Sequence, residues 1–70
     1  MQLEPVESEM IQLVGYDDKL RILEIVFNSG DKYRYEEVPP FEYEGLMVAK
    51  SKGQYMRKRI IGRFKYKRIY

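Results

Sequence analysis

The spacing of hydrophobic residues changes along the chain, and this change predicts strands first and helices afterwards. Residues 8–16 are rich in β-forming side chains, and residues 20–27 place apolar side chains on both faces of an extended segment. In residues 32–37, Tyr33 and Tyr35 alternate with charged residues, as in a strand with one buried face. The pattern therefore predicts three strands, of which the second is central and at least partly covered on both sides.

The predicted strands are separated by short segments with the composition of turns. Residues 15–18 are Gly-Tyr-Asp-Asp, and residues 28–31 are Asn-Ser-Gly-Asp. Glycine, asparagine and aspartate favour the backbone conformations that reverse the chain. Because connections this short join antiparallel neighbours, we expect a three-stranded antiparallel meander.

The chain changes to a helical spacing after two consecutive prolines. A proline cannot donate to a strand ladder, so Pro39 and Pro40 end the third strand, and Pro40 suits the first turn of a helix. Glu42 and Glu44 would complement the positive end of that helix. Its apolar residues form two arcs, Tyr43, Leu46 and Met47 on one side and Phe41, Val48 and Ala49 on the other. We expect one arc to pack against the sheet and the other against the next segment.

A second helix is predicted after a corner at residues 51–54. Ser51 and Gln54 have the spacing of a capping box that opens a helix, while Gly53 could instead close the first helix with a positive φ angle. The second helix would begin at residue 52 or 55 and reach residue 61, where Gly62 would end it. Two apolar residues of this helix are expected to face the core: Met56 and Ile60.

The predicted fold is therefore of the α+β class: a three-stranded antiparallel β-meander followed by two short α-helices and a basic C-terminal extended segment. Seventy residues make a single small domain, 1–70, in which residues 1–7 are expected to form a loose N-terminal arm. Hydrophobic residues make up 44% of the chain, which is too many for a disordered protein. Because the chain is short, its core is small and its stability is expected to be marginal.

Four local patterns follow one another in the second half of the chain. They are Tyr33-Arg34-Tyr35, Val38-Pro39 before a helix, Ala49-x-Ser51-Lys52-Gly53-x-Tyr55, and Ile60-x-Gly62-Arg63-Phe64-x-Tyr66. Their order and spacing resemble the KTSC domain, which is named for the C-terminus of some lysyl-tRNA synthetases and also occurs as a free-standing small bacterial protein. The resemblance covers residues 8–68 and implies a small α+β domain with a central Tyr-x-Tyr strand, a suggested role in RNA binding and no catalytic residues. Phe64 and Lys65 depart from the family, which is expected to have a tyrosine and often a proline there.

Electric charge is divided sharply along the chain. Residues 50–70 contain nine of the thirteen Lys and Arg residues and no acid, whereas residues 1–49 contain all eleven acids. The formal charges of the two segments are therefore +9 and −7. A compact basic segment favours contact with a polyanion, because Lys and Arg displace counterions from phosphates. Aromatic residues alternate with cations near the C-terminus, which is typical of surfaces that bind single strands.

We therefore interpret the chain as a non-catalytic accessory module that binds RNA, tRNA included, without sequence specificity of its own. Residues predicted to bind nucleic acid are Lys50, Lys52, Arg57, Lys58, Arg59, Arg63, Lys65, Tyr66, Lys67 and Arg68. Two other interpretations remain open. The basic end could dock onto an acidic partner protein or onto the acidic half of another copy, so that the chain is a monomer or associates weakly with itself. It could also be a solvated surface that keeps the domain soluble.

The aromatic residues have structural as well as functional interpretations. Tyr33 and Tyr35 share one strand face and could stack on bases, but a domain with so small a core favours burial of both rings. Phe64 is expected in the core. Tyr66 and Tyr70 belong either to a base-stacking surface or to an edge strand whose lysines discourage aggregation.

The composition narrows the possible chemistry. The chain has no Cys and no His, which excludes disulfides, thiolate metal sites and the usual nucleophile–base pairs. Residues 51–53 lack the glycines of a phosphate-binding loop, and Ser51 is better explained as a helix cap than as a phosphate ligand. The acid pairs at 17–18 and 36–37 have no arrangement typical of a hydrolase. We accordingly expect no enzyme activity, no cofactor or metal, no membrane span and a cytoplasmic location.

Overall fold

The computed structural model describes all 70 residues and contains one antiparallel sheet of five strands. The strands lie side by side in the order of the chain: β1 (Glu4–Pro5), β2 (Ile11–Asp17), β3 (Ile22–Phe27), β4 (Lys32–Tyr35) and β5 (Tyr66–Arg68). The α+β class is confirmed, and the three predicted strands correspond to β2, β3 and β4. The sheet is wider than the predicted meander, because one short strand is added at each edge.

β3 occupies the centre of the sheet, as its two-sided apolar pattern predicted. Leu23 and Ile25 are fully buried in the core, and Val26 on the opposite face is only 5% exposed. Ile25 pairs with Val14 of β2 and with Tyr33 of β4. Because opposed residues on neighbouring strands share a face, these pairs put the apolar side chains of three strands on the same side of the sheet.

Two helical segments pack against that side of the sheet. α1 (Pro40–Val48) begins at the second proline, and α2 (Lys52–Tyr55) continues directly into a π-helical turn (Met56–Ile60). The Ser51 hydroxyl accepts a hydrogen bond of 3.3 Å from the backbone N–H of Gln54. Two interpretations of residues 51–54 were possible, and the one observed is the serine cap that opens the second helix.

The core lies between the sheet and the two helical segments. It comprises nine buried residues: Ile11, Val14, Leu23, Ile25, Tyr35, Val38, Leu46, Met56 and Ile60. Met56 and Ile60 are fully buried, as their helical spacing predicted. Phe64 is partly buried and packs against this core, which agrees with its predicted place.

α1 packs with only one of its two predicted arcs. Leu46 is fully buried, whereas Phe41 and Val48 are 60% and 83% exposed. The expectation that a second apolar arc packs against the next segment is therefore wrong for these two residues. The fold has a single helical layer, so nothing lies outside α1 to cover that arc. Contact with the second helical segment is made instead by Glu42 and Gly45.

The two chain ends form the two edges of the sheet. Residues 1–7, expected as a loose arm, contain β1, which pairs with β2. Gly15 allows this segment to approach closely, because a Cβ at that position would lie 2.8 Å from the Leu3 side chain. β5 pairs with β4 at the opposite edge, so the basic C-terminal segment supplies the outer strand.

The face of the sheet turned away from the helices carries a buried carboxylate with two cations. Glu24 is 5% exposed and lies 2.8 Å from Nη2 of Arg34 and 3.2 Å from Nζ of Lys32. Burial acts to raise the pKa of Glu24, but the hydrogen bonds from Arg34 and Lys32 outweigh it and bring the pKa below its usual 4.5. Lys32 and Arg34 therefore form ion pairs that belong to the structure of the sheet.

Candidate nucleic-acid interface

The second helical segment carries the first part of a basic surface. Residues four apart on a helix lie on nearly the same face, so Gln54 and Lys58 are neighbours. Together with Lys50 and Arg59 they line a shallow groove of about 420 Å³ that has no acidic side chain in its walls. We call this the helix groove.

A second basic groove, of about 490 Å³, follows along the chain. Arg63, Lys65 and Lys67 line it, and Glu36 is the single acid among its lining residues. Nε of Arg63 donates a hydrogen bond of 3.0 Å to the backbone carbonyl of Lys58. This bond connects a cation of the second groove to the helical segment that lines the helix groove. We call this second feature the tail groove.

The nine predicted cations fall into two classes, three that form ion pairs and six that do not. The ion pairs among them are Arg59–Glu42 at 3.2 Å, Arg68–Asp31 at 3.0 Å and Lys67–Glu36 at 3.9 Å. The cations that form no ion pair are Lys50, Lys52, Arg57, Lys58, Arg63 and Lys65. Charge along the sequence predicted one set of contact residues, whereas the structure divides that set according to which cations already have a partner.

Three of the unpaired cations line a polar groove that also contains acidic side chains. Lys50, Lys52 and Arg57 line it together with Glu7 and Glu9, and of the three only Lys50 also lines the helix groove. Nζ of Lys52 donates two hydrogen bonds of 3.1 Å to backbone carbonyls at the end of α1, where a cation is favourable. Because nearby carboxylates reduce the positive potential here, the helix and tail grooves are the better candidates for binding a polyanion.

Arg59 belongs to a polar cluster between the two helical segments. Glu42 is 5% exposed and accepts a hydrogen bond of 2.6 Å from the Tyr55 hydroxyl and one of 3.2 Å from Arg59. Gly45 makes room for this tyrosine, because a Cβ there would lie 2.7 Å from the ring carbon Cζ. Burial, with the hydrogen bond to Glu42, raises the pKa of Tyr55 above its usual 10.0. Arg59 is thus held by a structural contact, whereas the neighbouring Lys58 is not.

The tyrosines of β4 and β5 are stacked on the helix side of the sheet. Tyr35 is 2% exposed and is therefore a core residue, which is the interpretation that the sequence favoured. Burial raises the pKa of Tyr35 to about 12. Tyr33 is half-buried, and its ring lies nearly parallel to that of Tyr66, with 5.2 Å between centroids and 14° between planes. Tyr66 remains 57% exposed. Tyr70 is exposed as well, with Nζ of Lys32 5.8 Å from its ring centroid.

An apolar groove of about 540 Å³ opens beside Tyr66. Its apolar lining consists of Met10, Phe27, Tyr33, Tyr35, Ile61 and Tyr66. Its polar lining consists of Glu9, Asn28, Ser29 and Asp31. Gly62 and Tyr66 line both this groove and the tail groove, so the two are adjacent. We call this feature the aromatic groove.

Sequence reasoning missed most of the aromatic groove. Two signals pointed towards it: the alternation in β4 indicated that Tyr33 and Tyr35 share a face, and the alternation of aromatic residues with cations near the C-terminus indicated Tyr66. Met10, Phe27 and Ile61 reach the groove from three other parts of the chain. Because their meeting depends on how the elements pack, no local pattern places them together.

The other sequence motifs form no recognisable site. No group of three or more acidic side chains is close enough together to hold a metal ion. The Ser51 hydroxyl is used in the cap of α2. None of the helices has the length and apolar character that crossing a bilayer requires.

Comparison with known proteins connects this fold and its surface to a family. A family profile described as the KTSC domain matches residues 7–64. The chain belongs to the KTSC domain family. The KTSC match includes the helix groove and ends at Phe64, so the cations and tyrosine of 65–68 lie beyond it.

Similar KTSC proteins occur alone and within a larger enzyme. The crystal structure of a KTSC domain protein from Yersinia pestis is 38% identical, with a TM-score of 0.96 over 99% of this chain and 97% of that one. A protein of Tsukamurella paurometabola is 38% identical over 90% of this chain and 94% of its own length. The lysine–tRNA ligase of Nostoc punctiforme is 41% identical over 90% of this chain, which corresponds to 11% of the ligase.

Proposed function

We propose that this KTSC domain is a non-catalytic accessory module that binds RNA through its backbone phosphates. The proposal is carried by four unpaired cations, Lys50 and Lys58 in the helix groove and Arg63 and Lys65 in the tail groove. The hydrogen bond from Arg63 to the backbone carbonyl of Lys58 links the two grooves. The chain has eleven acids, yet none forms an ion pair with these four residues. Their charge is therefore available to neutralise phosphates and release counterions.

The relatives support RNA as the polyanion. The region of the Nostoc punctiforme ligase that resembles this chain is 11% of an enzyme named for tRNA. A part that small would add affinity and orientation for the nucleic acid, while the rest of the enzyme supplies catalysis and specificity.

The number of unpaired cations gives the proposal a quantitative form. Each phosphate contact contributes about −0.9 to the slope of log K against log salt on duplexes and about −0.7 on single strands. Four to six contacts would therefore give a slope of about −3 to −5. Arg59, Lys67 and Arg68 would contribute less, because carboxylates already neutralise them.

The test is a binding titration at several salt concentrations with labelled tRNA, single-stranded RNA and duplex DNA, followed by fluorescence anisotropy. The triple variant Lys58→Gln, Arg63→Gln, Lys65→Gln should make the slope less negative by about 2 to 3. A control variant, Lys19→Gln with Arg21→Gln, removes two exposed cations at the β2–β3 turn and should leave the slope unchanged.

A slope of log K against log salt near zero with RNA would overturn the proposal. An equal loss of slope per removed cation in the triple variant and in the control would overturn it as well. Light scattering at low and high salt distinguishes the competing role in protein docking. Self-association that disappears with salt, combined with no affinity for RNA, would favour contact with the acidic half of another copy.

A further inference from the structure

We propose that the aromatic groove takes one unpaired nucleobase of the bound strand and favours guanine over the other bases. This inference rests on the proposed RNA binding and adds one position at which base identity matters. It is carried by the lining of the groove, by its junction with the tail groove and by the distribution of charge around it.

The aromatic groove has the size and surface that a planar base requires. Its volume of about 540 Å³ lies in the usual range for small-ligand sites. Tyr66 is 57% exposed and stacks on Tyr33, while Phe27 meets Tyr33 edge-on at 5.4 Å. Because these rings hold one another in place, a base that stacks on Tyr66 has a pre-formed platform.

The aromatic groove opens onto cations that would hold the phosphates of the same nucleotide. Gly62 and Tyr66 line both grooves, and Arg63 and Lys65 in the tail groove form no ion pair. Gly62 has a φ of +82°, and no atom lies within 4 Å of the place where a Cβ would stand. The backbone at the junction is therefore open, so a strand can pass from one groove to the other.

Charge distinguishes the two grooves and selects the base. The charged side chains that line the aromatic groove are both acidic. Asp31 pairs with Arg68, whereas Glu9 is exposed and forms no ion pair.

A carboxylate accepts hydrogen bonds and donates none. Guanine alone presents two adjacent donors, N1–H and the N2 amino group, on its Watson–Crick edge. Uracil presents one donor between two carbonyl oxygens, which a carboxylate repels. Guanine is therefore the favoured base.

The test uses the whole chain and a strand of about seven nucleotides, within the usual range of single-strand sites, in which only the central position carries a base. That position is guanine, adenine, cytosine, uracil or abasic, so the five strands have the same charge. Anisotropy at about 0.1 M salt measures the five dissociation constants. We expect the guanine strand to bind about 5- to 150-fold more tightly than the abasic strand, the range that stacking of one base provides, and more tightly than the other three.

Three variants assign the effect to residues. Tyr66→Ala should abolish the difference between the guanine and abasic strands, and retained affinity for the abasic strand shows that this variant is folded. Tyr70→Ala is the matched control and should keep the difference between the guanine and abasic strands. It removes a tyrosine of similar exposure that does not line the groove. Glu9→Gln should keep the gain from stacking and lose the preference for guanine over uracil.

The two proposals fail in distinguishable ways. If the abasic strand binds with the expected salt dependence but the central base makes no difference, only the inference about the aromatic groove is overturned. A preference for uracil, or a guanine preference that survives Tyr66→Ala, would overturn it as well. If none of the strands binds, both proposals are overturned.

Discussion

Lys58 and Arg59 are adjacent and equally charged, but the structure predicts opposite effects from neutralising them. Arg59 pairs with the buried Glu42, whereas Lys58 forms no ion pair. Lys58→Gln should therefore weaken RNA binding and leave the free energy of unfolding unchanged. Arg59→Gln should lower the free energy of unfolding and leave the RNA affinity of the folded protein nearly unchanged.

The expected magnitudes are large enough to measure. One lost phosphate contact weakens binding by about five- to eightfold at about 0.1 M salt. Loss of Arg59 leaves the Glu42 carboxylate with only the hydrogen bond from Tyr55. A hydrogen bond to a charged group contributes about 1.5–3 kcal/mol, and since Arg59 is 47% exposed we expect a loss of about 1–2 kcal/mol. With an m-value of about 1 kcal/mol/M, the urea midpoint should fall by about 1–2 M.

Urea unfolding followed by circular dichroism gives the stability of both variants, and anisotropy with tRNA gives their affinity. The informative quantity is the contrast between two changes that remove the same charge from neighbouring positions. If Arg59→Gln weakened RNA binding as much as Lys58→Gln and left the urea midpoint unchanged, the ion pair with Glu42 would not exist in solution. Arg59 would then belong to the binding surface.

Two further predictions concern the stability of the fold. Gly45→Ala should destabilise it by about 1–3 kcal/mol although alanine favours helices, because the added Cβ would overlap the Tyr55 ring. The matched change Gly53→Ala places a Cβ at an ordinary 3.4 Å from its nearest neighbour. It should be neutral or stabilise the fold by up to about 1 kcal/mol. Equal urea midpoints for the two variants would contradict this packing. Because the pKa of Glu24 is lowered in the folded state, its contribution is present above the unfolded pKa of about 4.5 and is lost as the pH falls through the lower folded value. The urea midpoints of the natural chain and Glu24→Gln should therefore converge at acid pH, and a gap that stays constant would argue against the ion pair with its two cations.

The elements could be predicted because the signals that produce them are local. The period of side chains along a strand decides which residues share a face, so the alternation at Tyr33 and Tyr35 was sufficient for β4. Pro40 begins α1 and Ser51 caps α2, since each acts on the backbone within a few residues of itself. These signals do not depend on which other elements lie nearby.

Contacts between elements could not be predicted in the same way. Glu42 was expected to complement the start of α1, but it is buried because Tyr55 and Arg59 reach it from the second helical segment, 13 and 17 residues later. Whether a cation is free depends on such contacts. The charge pattern therefore predicted a basic segment but could not separate Arg59 from Lys58.

Protection of a sheet edge is the competing explanation for the basic tail, because β5 is an edge strand and lysines there discourage pairing with another chain. That explanation covers Lys67 on β5 and Lys65 directly before it. It does not cover Lys50 and Lys58, which lie at the corner after α1 and on the second helical segment and belong to no strand. Nor does it require those cations to remain unpaired in a chain with eleven acids. A ligand with regularly repeated negative charges accounts for the cations at the edge and for those away from it, which is why RNA binding explains more of this surface than protection of the edge does.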